Sequence, residues 1–159
     1  MLKVSKHITY ADAIRSSVAQ KHSIKNYFTP KQLTNMSVLA ENVYEPLVKH
    51  FKQPIRITSF FRSRELNNLI GGSSSSQHMA NNGAAIDLDV DGNTGVSNLQ
   101  LFKYIKDNLD YDQLILEDIK PDGSIGWVHV GYKSKGNRRQ VLTMVFKEGK
   151  VTYEQYKDK

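Results

Sequence analysis

Apolar residues recur along part of the first third of the chain at the three- and four-residue steps of a helix. Met36, Leu39, Ala40, Val43, Leu47 and Val48 fall on one face, and such a stripe favours helix because it is buried when the helix packs. The helix start is legible in Thr29-Pro30-Lys31-Gln32. Thr29 caps, Pro30 suits a first turn whose N–H groups have no helical partner, and Gln32 completes a capping box. The stripe predicts an end before Pro54. Tyr10 to Gln20 predicts a second, shorter helix, with residues 22–28 as a connector. Ser63 to Ile70 predicts a third, stopped by Gly71-Gly72. Ser97 to Leu109 predicts a fourth, opened by a capping box of Ser97 with Gln100.

Elsewhere the pattern is that of strands. Ile55 to Phe60 and Ala84 to Val90 are short and apolar or β-branched, as are Gln113 to Glu117, Trp127 to Tyr132 and Gln140 to Phe146. The last turns at Glu148-Gly149-Lys150 to pair with Val151 to Tyr153. Helices first, then strands interrupted by helices, predict an α+β fold with N-terminal helices on a mainly antiparallel sheet. No internal repeat, long linker or composition break divides the chain, so residues 1–159 are expected to form a single domain. A domain of this size buries roughly 68–70% of its unfolded surface, so a metal is not needed merely to hold it together.

The absence of cysteine removes disulfides and thiolate ligands together, so any metal must be held by His, Asp or Glu. No apolar run approaches the roughly 20 residues that cross a bilayer, and membrane insertion is not expected. The N-terminal sequence lacks the apolar core of a secretory signal. A net charge of +6 favours anionic partners. The basic residues are scattered, however, and no basic stripe interleaved with aromatics argues for nucleic acid. The densest cluster, Lys133, Lys135, Arg138 and Arg139, reads as a solvated turn between two strands.

Metal-compatible side chains occur in three short segments: Ser76-Gln77-His78, Gly83-Ala84-Ala85-Ile86-Asp87 and Trp127-Val128-His129. Two His and one Asp match a catalytic zinc site, which takes three protein ligands and leaves a position for water. Taken singly, His129 reads more readily as a structural histidine and Asp87 as a turn or cap residue. Asp89 is a rival ligand, because Asp87 and Asp89 share one face of a strand. His7, His22 and His50 have no partner at metal spacing and read as structural or exposed.

Together, Ser-x-His, Gly-x-Ala-x-Asp and Trp-x-His resemble peptidase family M15, the zinc D-Ala-D-Ala carboxypeptidases and phage endolysin peptidases, in its small single-domain branch. Tyr10 to Ser16, Leu33 to Phe51, Ile57 to Ser63, Glu65-Leu66-Asn67 and Ile70 to Ser73 share the resemblance. It implies the DD-peptidase/hedgehog-like zinc peptidase fold, with Zn2+ on His78, Asp87 and His129. Asp87 is preferred to Asp89 because it stands four residues after Gly83. The chain departs from the family pattern in placing five residues, not three, from His78 to Gly83. Two more residues in an Asn-rich loop cost little.

Some members carry the general base three residues before the last His, where this chain has Gly126. In the single-domain branch the acid ends a preceding strand, as Glu117 does here, with Asp118 and Asp122 as weaker substitutes. The family's Ser-x-x-Arg falls on Ser59 and Arg62, giving Arg62 a role on the oxyanion or on a substrate carboxylate. Ser76 matches a position that touches substrate, and the serine run around it is expected to rim the cleft. The resemblance implies a monomeric metallopeptidase that hydrolyses peptidoglycan stem peptides, either removing terminal D-Ala or cutting an internal bond such as L-Ala to D-Glu. With no signal peptide, a phage-encoded enzyme made in the host cytoplasm and acting on the cell wall fits. A non-catalytic, zinc-stabilised module that binds wall or protein is the alternative from another class.

Overall fold

A computed structural model describes residues 2–92 and 95–158. Helices α1 (Tyr10–Ile14) and α2 (Ser17–Lys21) replace the one helix expected from Tyr10 to Gln20. The break has a local cause. Arg15 is extended, and the Ser16 hydroxyl accepts from Ala19 N to start a new helix. The Asn26 amide takes up the Ile14 carbonyl at 2.9 Å.

The long amphipathic helix runs as α3 (Pro30–Leu39), one wide π turn over Ala40–Tyr44, and α4 (Glu45–Phe51). Pro46 has no N–H to donate back along the helix. The widened turn, in which Glu45 N reaches Ala40 O, absorbs that loss without a break. Lys52, in the left-handed conformation, ends the helix before Pro54 as expected.

Among the described residues, six strands form one sheet in the order β1-β2-β4-β3-β5-β6. They are β1 (Arg56–Ser59), β2 (Ala84–Asp89), β3 (Gln113–Ile119), β4 (Ile125–Tyr132), β5 (Gln140–Lys147) and β6 (Lys150–Gln155). All neighbours are antiparallel except β3 and β5, which run parallel. Helix α5 (Arg64–Leu69) follows β1, and α6 (Asn98–Asn108) joins β2 to β3. The α+β architecture with a mainly antiparallel sheet is as the sequence predicts.

Strand alternation divides the sheet into two faces. Ile86, Leu88, Leu114, Leu116, Val128 and Val130 point to one side and are almost wholly buried. Met36, Leu39 and Val43 of the long helix, with Leu101, Phe102 and Ile105 of α6, belong to the same core. Each such side chain contributes roughly 1.5–3 kcal/mol by leaving water. The other face carries Asp87, His129, Ile115 and Leu142 side by side in one row across β2, β4, β3 and β5. Glu117 and Trp127 form the adjacent row. Hydrophobic burial on the helix side thus leaves the polar residues of four strands together on the opposite side.

Gly83 fixes where this register begins. Its φ is +77°, and a Cβ there would stand 2.4 Å from the Tyr132 carbonyl oxygen. Only glycine lets β2 approach β4 so closely at the pair Ala84–Tyr132.

Candidate metal centre

His78 stands in a single 3₁₀ turn, Gln77–Met79, whose start is capped by the Ser76 hydroxyl accepting from His78 N. This turn is fixed from three directions. Arg62 N donates to His78 O at 3.0 Å. The Gln77 side chain lies across Gly131, where a Cβ would meet its Oε1 at 2.2 Å, and donates to buried Asp112 at 3.1 Å. From α3, Gln32 donates to Met79 O at 2.9 Å and Asn35 to Ala80 O at 2.8 Å. The loop widened by two residues is therefore folded against α3, with Ala80 left-handed, and does not carry His78 away from the sheet.

His78 Nε2 lies 3.3 Å from Asp87 Oδ1 and 3.3 Å from His129 Nδ1, and His129 Nδ1 lies 2.9 Å from Asp87 Oδ1. Three donors of a tetrahedral zinc with bonds near 2.0–2.1 Å stand about 3.3 Å apart, so the spacing fits a single ion. The tautomer fits as well. His78 Nδ1 is 2.7 Å from the Phe60 carbonyl, and a proton held there leaves Nε2 with its lone pair. His78 and Asp87 are only 3% and 5% exposed.

The same closeness sets the electrostatics. Burial alone would raise the Asp87 carboxyl, but the His78 and His129 rings hold it well below the usual carboxylate range. Burial pushes the His78 ring below its ordinary value. Burial also pulls on His129, but contact with Asp87 wins and its ring is raised. A carboxylate kept ionised beside two imidazoles is a donor set for a divalent cation.

Arg62 closes the second side of Asp87, its Nη2 3.2 Å from Oδ2, while its Nε donates to the Ser59 hydroxyl at 3.1 Å. Glu117 lies on the site face one row away. Burial pushes its carboxyl above the ordinary value, His129 opposes the rise and Asp87 adds to it. Arg62, His78, Asp87, Glu117 and His129 line a cleft of about 750 Å³, together with Ser76 and the rest of the serine run.

Asp89 shares the face but not the cluster. Its carboxylate accepts from Asn98 Nδ2 at 2.9 Å and Asp91 N at 3.0 Å and is paired with Arg56. Asp118 has the opposite strand parity from Glu117, and Asp122 caps the β3–β4 turn by accepting from Ser124 N. A Cβ at Gly126 would stand 2.6 Å from that of Asp118. An acid at Gly126 would collide there, so the alternative base position is closed. His7 pairs with Glu45 and His50 stacks on Tyr104, both away from the centre.

The basic cluster stands in the exposed connection between β4 and β5, as the sequence predicts, but several of its charges are paired. Lys133 and Arg138 pair with fully buried Asp112 and line the cleft, while Arg139 pairs with Asp110 and covers the Tyr111 ring. Gln113, Gln140 and Tyr153 also line it. Polar residues inside otherwise apolar strands were the available signal for the two glutamines. Nothing local marked Tyr153.

A model of the family described as Peptidase M15 matches residues 6–119, a span that contains Arg62, His78, Asp87 and Glu117. His129 lies beyond it and joins the centre through its register with Asp87. No curated protein matches the chain.

Proposed function

The chain belongs to peptidase family M15, and from that premise we propose that it is a zinc metallopeptidase that hydrolyses peptide bonds in peptidoglycan stems. The observation that carries this reading is the convergence of His78, Asp87 and His129 at donor distances inside a cleft that also holds the half-buried carboxylate of Glu117. Zinc, when bound there, supplies a Lewis acid that acidifies water and polarises a carbonyl.

The side chains divide the remaining work. Glu117, made more basic by burial, takes the proton of the attacking water and passes it to the leaving amine. Arg62, held by Ser59 and Asp87, presents fixed donors to the oxyanion. The Phe60 carbonyl orients His78, and Ser76 holds the turn that carries it. On this reading the enzyme acts as a monomer on the cell wall.

The widened loop beside His78 also suits a non-catalytic, zinc-stabilised module that binds wall or protein. Its packing against α3 leaves the donor spacing intact, which suits both readings, and the half-buried carboxylate of Glu117 in the same cleft favours the enzyme. Mass spectrometry of muropeptides digested by zinc-loaded protein tests the proposal. Loss of a terminal D-Ala or cleavage at L-Ala to D-Glu is expected and assigns the bond. Unchanged muropeptides contradict it.

A further inference from the structure

At one end of the cleft Lys133 and Arg138 bring two positive charges to a single carboxylate. Asp112 is 0% exposed, whereas Lys133 and Arg138 are 23% and 53% exposed. Asp112 accepts from Arg138 N at 3.1 Å, Arg138 Nε at 3.0 Å, Arg138 Nη2 at 2.7 Å and Gln77 Nε2 at 3.1 Å. Those four donors fill the roughly four lone-pair sites of a carboxylate. Lys133 Nζ, at 3.3 Å, is a surplus fifth donor. Neutralising Asp112 does not require it, and this end of the cleft keeps one net positive charge.

Gln140 lines the same cleft as this cation, at the end of the sheet where Gln113 pairs with Gly131. Its Oε1 accepts from Gln113 Nε2 at 2.7 Å, and its own amide N–H groups have no partner among the described residues. Lys133 follows His129 by four positions with the same strand parity, which places it about 13 Å along the strand direction from the metal row. Allowing for the reach of a lysine side chain, that is two to four residues of extended peptide.

Building on the peptidase reading, we infer that Lys133 and Gln140, backed by Arg138, form a subsite for a substrate carboxylate two to four residues from the scissile bond. A glutamyl or diacid residue with a free carboxylate fits it, and the amidated form does not. This makes Lys133 a specificity determinant, placed on the opposite side of the metal row from Glu117.

The test uses synthetic stem peptides that differ only in one carboxylate or carboxamide at those positions. KM and kcat are measured with the zinc-loaded enzyme. Kd is measured by calorimetry with zinc-loaded Glu117→Gln, which reads binding without turnover. The free acid is expected to show a KM and Kd about tenfold lower than the amide. Lys133→Gln is expected to reduce that ratio to below about twofold, and Gln140→Leu, which touches no buried carboxylate, to reduce it in part. Equal affinity for acid and amide in the parent, or a preference that survives Lys133→Gln, overturns the subsite. Peptides cleaved without preference overturn it and leave the peptidase standing. Peptides bound with the preference but never cleaved support the subsite and contradict the peptidase.

Discussion

Asp87 and Asp89 share one face of β2, yet their environments assign them opposite consequences on substitution. In Asp89→Asn the side-chain oxygen still accepts from Asn98 and Asp91 N, but both charge-assisted bonds become neutral, at about 0.5–1 kcal/mol each. The pair with Arg56 is lost as well, and because that guanidinium is 61% exposed it adds only about 0.5 kcal/mol. The sum, about 2 kcal/mol, corresponds to a fall in Tm of roughly 4–8 °C for a chain of this length. Zinc binding is expected to survive. At a free zinc concentration about 100 times Kd, zinc should still stabilise the protein by about 2.7 kcal/mol. Asp87→Asn removes the only anionic ligand, so the zinc-induced shift should vanish. Differential scanning fluorimetry of both variants, with and without zinc, measures both effects. An Asp89→Asn protein that folds but shows no zinc shift, beside an Asp87→Asn protein that keeps it, would refute the ligand assignment.

The metal-free protein should be more stable, or no less stable, when Glu117 is replaced by Gln. A carboxyl whose folded pKa is raised from its ordinary 4.5 stabilises the fold below that value and loses the contribution as pH climbs through the raised pKa. The advantage of Glu117→Gln in thermal melts should therefore appear above about pH 4.5 and level off once the pH exceeds the raised pKa. Gly83→Ala should cost about 3 kcal/mol, from a left-handed backbone and a Cβ pressed on the Tyr132 carbonyl. It should also weaken zinc binding by disturbing the β2–β4 register, which zinc titration followed by calorimetry would detect. Arg62→Lys keeps the charge but loses the fixed fork on Ser59 and Asp87. Its kcat/KM should fall by about 10- to 100-fold, with zinc content unchanged by atomic absorption.

What the sequence made legible was local. The capping boxes at Thr29 and Ser97 involve residues three apart, and both form as read. Strand alternation put Asp87 and Asp89 on one face but left the choice between them to the three motifs. Their distinct partners, Asn98 and Arg56 for one and two imidazoles for the other, come from remote parts of the chain. Non-local pairing hid the parallel join of β3 and β5, and hid the capture of Lys133 and Arg138 by Asp112. The π turn was signalled by Pro46 in the middle of an apolar stripe, a residue the periodicity passes over.

Hydrolysis at this site requires Glu117 and a single bound ion acting together. Steady-state hydrolysis of muropeptides during zinc titration of the metal-free protein measures both. Activity is expected to rise to a plateau at one zinc per chain, and Glu117→Gln is expected to bind the same zinc while losing about 10²- to 10⁴-fold in kcat. A Glu117→Gln protein as active as its parent, or a parent that binds one zinc and turns over nothing, would contradict it.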